Sequence, residues 1–146
     1  MIKEVYISMK NKIQLIVIVI LFLSAYQSYA QAAFPEITVN LTFPQFQRLK
    51  MDGGYVYLDG GMKGIILYHV NETNYVAFDR VCPHDLNSNC EVQVDGSSLF
   101  FIDHCCKSTF NVSDGQPTRG PAQRALIQYR IETSENKLIV SDEVIN

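Results

Sequence analysis

The chain has 146 residues, 47% of them hydrophobic and 18% charged, with a formal net charge of −3. Its lysines and arginines are scattered, with no basic block, which argues against nucleic acid or an anionic membrane surface as a partner. There is no internal repeat and no low-complexity segment.

At the N-terminus, Lys3, Lys10 and Lys12 precede an apolar run over residues 15–23, "LIVIVILFL", and then small and polar residues ending in "SYAQ". A charged start, a short apolar core and small residues at a cleavage point predict a secretory signal over residues 1–30. Cleavage is expected after Ala30, with Ser28 and Ala30 as the small residues the peptidase reads. The apolar run is well short of the ~20 residues a spanning helix needs. A membrane enters only if the segment stays uncleaved as an anchor. Met9 opens a second start, "MKNK", so either methionine fits as the first residue. No cysteine precedes Cys82, which excludes a lipid-anchored cysteine at the cleavage site.

Cleavage leaves residues 31–146, enough for one domain with its own core. Loss of Lys3, Lys10, Lys12 and Glu4 takes the net charge from −3 to −5. Export, periplasmic or extracellular, implies an oxidising compartment, where four cysteines lead to an expectation of two disulfides.

The remaining chain predicts an all-β fold. Short runs rich in Val, Ile, Tyr and Phe follow one another: "ITVNL", "YVYL", "GIILYHV", "YVAFD", "SLFFI", "ALIQYRI" and "KLIVS". Turn residues separate them. "FPQFQRLKM" fits one short helical turn, and "HVNETNYVAF" fits a hairpin with a short polar loop. Gly60, Gly61 and Gly64 read as a hairpin turn rather than a phosphate loop. His69 falls on a strand as a surface or half-buried side chain. Asn40, Asn71 and Asn111 each begin an Asn-x-Ser/Thr pattern, which matters only in a glycosylating host.

All four cysteines and two of the three histidines lie in "VCPHDLNSNC", residues 81–90, and "IDHCCKSTF", residues 102–110. Cys82 and His84 are alternate residues at the end of a strand, so thiol and imidazole can point the same way. Pro83 fixes the turn between them. Asp79 and Arg80 read as braces for this loop, and His104 as a loop tip or a metal ligand.

The order of these pieces resembles the Rieske iron–sulfur family. "AFDRVCPH" is similar to the family's first cluster-binding loop with its preceding strand, and "STFNVSDGQPTRGPA" to the region after the second. "ALIQYRIE" is similar to the closing strand, and "MDGGYVYLDGGMKGIILYHV" to the opening hairpins. The resemblance spans roughly residues 37–141. It implies an antiparallel β-sandwich with two adjacent loops, a 2Fe–2S cluster and an electron-transfer role toward a redox partner that the sequence leaves unnamed.

Aligned on Phe110, Asp103 takes the family's second cysteine position and Cys106 its second histidine position. The implied ligand set, for a cluster or for another metal, is Cys82, His84, Asp103 and Cys106. No histidine follows His104, so the family's two-thiolate, two-imidazole set cannot be assembled. The resemblance also implies a disulfide between Cys90 and Cys105, with about 3 kcal/mol of stabilisation for a loop of this size. Cys82 and Cys106 would then face each other, and without a cluster they are expected to join in an oxidising compartment. Three functions remain open: a cluster-binding electron-transfer domain, a cluster-free binding or assembly module, or a mononuclear zinc or iron site. No Ser/His/Asp constellation or carboxylate pair points to an enzyme acting alone.

Overall fold

The computed structural model describes residues 34–146, and the expected signal segment and its cleavage point lie outside them. Within the described residues, ten strands form two antiparallel sheets. The larger sheet holds β1 (Ile37–Asn40), β2 (Tyr55–Leu58), β3 (Ile65–Asn71), β4 (Asn74–Asp79), β9 (Gln128–Ser134) and β10 (Lys137–Val144). Its order is β1-β10-β9-β4-β3-β2. The smaller sheet is β5 (Val92–Val94), β6 (Phe100–Asp103), β7 (Thr109–Asn111) and β8 (Pro117–Arg119), paired in sequence order. It is one continuous stretch inserted between β4 and β9.

Strand β3 shows why two layers form. Ile65 to His69 are all buried, and successive strand residues point to opposite faces. Ile66 and Tyr68 join Val76, Phe78, Phe101 and Phe110 in the core between the two sheets. Ile65 and Leu67 face the other way, into a second core with Val39, Leu49, Leu138 and Val140. That second core joins β1, at one edge of the sheet, to β3 near the other, so the sheet curls around it. The segment Pro44–Lys50 is the expected short helix, a 3-10 helix that delivers Leu49 into this core.

The hairpin of β3 and β4 pairs as expected, with Ile66 opposite Phe78 and Leu67 opposite Ala77. The glycines after β2 form the β2–β3 turn. Gly61 has φ +60, and a Cβ there would strike the Asp79 carboxylate, so glycine lets this turn lie directly on the end of β4. His69 departs from expectation: it is 3% exposed and stacked on Tyr75 at 4.3 Å. The reason is that both faces of β3 are covered, so neither alternation offers solvent. Strands β5, β7 and β8, three residues each, are too short for an alternating pattern to announce them.

Candidate functional site

The two cysteine loops meet at one end of the small sheet, each launched by a strand that ends in aspartate. At the end of β4, the fully buried Asp79 accepts hydrogen bonds on Oδ1 from the Val81 amide (2.8 Å), and on Oδ2 from the Met62 amide (2.6 Å) and the Tyr129 hydroxyl (2.8 Å). Arg80 donates to the Val92 carbonyl and pairs with Glu91 at 2.6 Å. Lys63 reaches the Ser88 and Cys90 carbonyls. Asp79 and Arg80 thus brace the first loop, as their positions suggested.

At the end of β6, Asp103 is 1% exposed, and its Oδ1 accepts the amides of Cys105 (2.7 Å) and Cys106 (3.1 Å). This turn sets Cys106 facing Cys82, with the two Sγ atoms 3.5 Å apart. The Cys106 thiol donates to Ser108 Oγ at 3.1 Å, and the same oxygen accepts the Ala122 amide at 2.9 Å. The Gly120–Pro121–Ala122 segment is thereby tied over the thiol pair. Ser108, fully buried, was not singled out in the sequence, where a serine two residues after a cysteine carries no signal of its own.

The electrostatics follow from burial. Burial pushes the Cys82 thiol up to about 12; the backbone N–H of His84 works against this, and Cys106 and Asp103 add to it. Burial would also raise Asp103, but the Cys106 and Cys105 amides, joined by the two thiols, outweigh it and hold the carboxyl below its ordinary range. The arrangement sets an anionic carboxylate beside the protonated Cys82 thiol, with the Cys106 sulfur in contact.

Of the four residues implied as ligands, Cys82, Asp103 and Cys106 come together, with donor atoms within 4.8 Å of one another. His84 does not join this group; its side chain is exposed. The structure contains the Cys90–Cys105 disulfide, with Cα atoms 6.2 Å apart. The expected Cys82–Cys106 bridge is not formed: both are free thiols in contact. His104 is exposed at the loop tip.

These residues do not fit a Rieske cluster. Its second iron needs two imidazoles, and the position expected to supply one holds Cys106. Asp103, in place of the second thiolate, spends its carboxylate on the turn amides and the thiols. Carboxylate is also a harder donor than a sulfide cluster prefers.

The fold has solved counterparts. The cyanobacterial plasma-membrane Rieske protein PetC3 from Synechocystis PCC 6803 matches with a TM-score of 0.56 and 21% identity, over 70% of this chain and 98% of that one. The ferredoxin of carbazole 1,9a-dioxygenase from Nocardioides aromaticivorans IC177 matches with a TM-score of 0.53 and 15% identity, over 74% and 98%. A chain from the complex of reduced oxygenase and oxidised ferredoxin in carbazole 1,9a-dioxygenase matches with a TM-score of 0.52 and 20% identity, over 66% and 87%. No family model matches the chain, and no curated protein matches it. Among the described residues no helix is long and apolar enough to cross a membrane. The likeness at these identities is one of architecture, and it agrees with the two sheets and paired loops: the described residues form a Rieske-like antiparallel β domain.

Proposed function

We propose that the protein is an exported accessory component in which the cluster end of a Rieske-like fold carries a thiol pair. The observation that supports this is the contact of the Cys82 and Cys106 sulfurs at 3.5 Å over the Asp103 carboxylate, with no imidazole joining them. The Cys90–Cys105 disulfide holds the two loops together from outside. The neighbours named as a ferredoxin and as a Rieske protein favour service to a redox partner over catalysis. A second reading is a mononuclear metal site on Cys82, Asp103 and Cys106, favoured by the clustering of these three donors. Two thiolates suit zinc, which takes mixed sulfur and oxygen ligands.

The test is visible absorption together with iron, acid-labile sulfide and zinc analysis of protein isolated from its exported compartment. The thiol-pair reading expects none of these above trace level. Stoichiometric zinc would replace it with the mononuclear site, and stoichiometric iron and sulfide would restore a cluster. The same material should begin at Gln31, or within a residue or two, by intact mass. Retention of residues 1–30 in a membrane fraction would favour an anchor.

A further inference from the structure

We propose that Cys82 and Cys106 form a reversible dithiol–disulfide couple, in which Cys106 meets an external disulfide and Cys82 closes the bridge. The inference rests on the thiol-pair reading above and adds an activity to it: exchange of two electrons with a disulfide-bearing partner.

Three features carry it. The first is proximity. A disulfide bond is about 2.0 Å long, so sulfurs at 3.5 Å need to approach by only about 1.5 Å. The second is preorganisation. Cys90–Cys105 joins the same two loops, and Arg124, just after the Gly-Pro-Ala segment, donates to the Pro83 carbonyl at 3.2 Å. Closing the inner pair therefore orders little that is not already ordered, which favours the intramolecular bond over two separate ones. The third is asymmetry. Cys82 is 0% exposed, whereas Cys106 is only partly buried. A reagent from solvent reaches Cys106 first, and Cys82 is shielded from forming a mixed disulfide itself.

The Cys106 thiolate attacks one sulfur of an external disulfide, R–S–S–R. That bond breaks, one R–S⁻ leaves with the electron pair and takes up the proton Cys106 gave up, and Cys106 is left in a mixed disulfide. Cys82 then attacks the Cys106 sulfur, its proton passing to the second R–S⁻ as that group leaves. The two protein thiols lose two electrons and two protons, and R–S–S–R becomes two R–SH. The reverse sequence reduces the bridge.

The experiment uses the full exported chain in glutathione buffers of graded reduced-to-oxidised ratio, with acid quenching, alkylation under denaturing conditions and mass mapping. Cys82 and Cys106 should lose their label together, the protein losing two hydrogens, while Cys90–Cys105 stays intact. In the reduced folded protein, iodoacetamide should modify Cys106 faster than Cys82 by roughly tenfold or more, since Cys82 is shielded from the reagent and access limits the rate. Cys82→Ser should accumulate glutathione on Cys106, and Cys106→Ser should trap far less on Cys82. If either variant misfolds, the wild-type titration decides alone. Thiols that stay alkylatable at every ratio, or glutathione trapped on Cys82, would overturn the couple. Those failures leave the cluster-free reading standing, whereas stoichiometric iron and sulfide would remove both.

Discussion

The two loops are entered by the same spacing, Asp79-Arg80-Val81-Cys82 and Asp103-His104-Cys105-Cys106. Each aspartate ends a strand and caps the turn that places the cysteine three residues on, Asp79 accepting the Val81 amide and Asp103 those of Cys105 and Cys106. Their settings differ. Asp79 belongs to the large sheet and uses both carboxylate oxygens on the backbone and on Tyr129. Asp103 belongs to the small sheet, spends one oxygen on two amides, and lies against both thiols. The first aspartate fixes a scaffold, and the second fixes a scaffold and shapes the chemistry of what stands on it. Turn and site can thus be built from one local motif, with the surrounding sheet deciding how much of the carboxylate is left over.

The two regions depend on each other most where they share a core. Phe78 is fully buried between the sheets and meets Phe101 edge-on at 5.7 Å. Phe78→Ala should cost about 3–5 kcal/mol in denaturant unfolding, with both sheets lost in one transition. A separate early transition for the small sheet would show that it unfolds independently. Next in size, replacing Cys90 and Cys105 by serine should cost about 3 kcal/mol, because this is the bond that closes the loops. Replacing Cys82 and Cys106 by serine should cost clearly less, since the outer bridge remains. Equal losses in the denaturant midpoints would contradict that ranking.

The two carboxylates themselves differ by a smaller amount. In Asp79→Asn the new amide must point at an N–H or at the Tyr129 hydroxyl system, leaving a buried donor without an acceptor, a cost of about 1–3 kcal/mol. In Asp103→Asn the remaining oxygen can still take both turn amides, so the loss at neutral pH should be the smaller one. The pH dependence separates them further. The Asp103 carboxyl is held below its unfolded value, so its stabilisation is complete above about pH 4 and is lost as pH falls through the lower folded value. Acid unfolding of Asp103→Asn should lack that component, and an unchanged acid limb would show that the charge contributes nothing.

Much of the fold was legible because its signals are local. "YVAFD" and "GIILYHV" announce β4 and β3 by composition, and the polar turn between them fixes their pairing. The paired loops followed from the order of motifs. The small sheet was mostly invisible, since strands as short as Thr109–Asn111 exist only through their partners, Phe110 lying opposite Phe101. At the site, the Cys90–Cys105 bridge and the Cys82–Cys106 approach were expected, but the role of Asp103 was not. Aligned on Phe110 it reads as a ligand. Its further work as a turn cap could have been read from the repeated Asp-x-x-Cys spacing, since a short carboxylate that bonds amides two and three residues on is a common turn device. Ser108 acts through the Cys106 thiol and the Ala122 amide, partners that no sequence separation reveals.

The smallest effect concerns the seam between the regions. Arg80, at the end of the large sheet, donates to the Val92 carbonyl at 3.1 Å and accepts the Val92 amide on its own carbonyl at 2.8 Å. Its guanidinium also lies over the Tyr57 ring, 4.2 Å from the centroid, and pairs with Glu91 at 2.6 Å. The Glu91 side chain is 45% exposed, so solvent and salt screen the pair, while the backbone bonds beneath it are untouched by substitution. Glu91→Gln should therefore cost less than about 1 kcal/mol, and the cost should shrink as salt is raised. Hydrogen exchange at the Val92 amide should stay as slow as in the wild type. Fast exchange there would show that the ion pair, rather than the backbone, holds the small sheet to the end of β4.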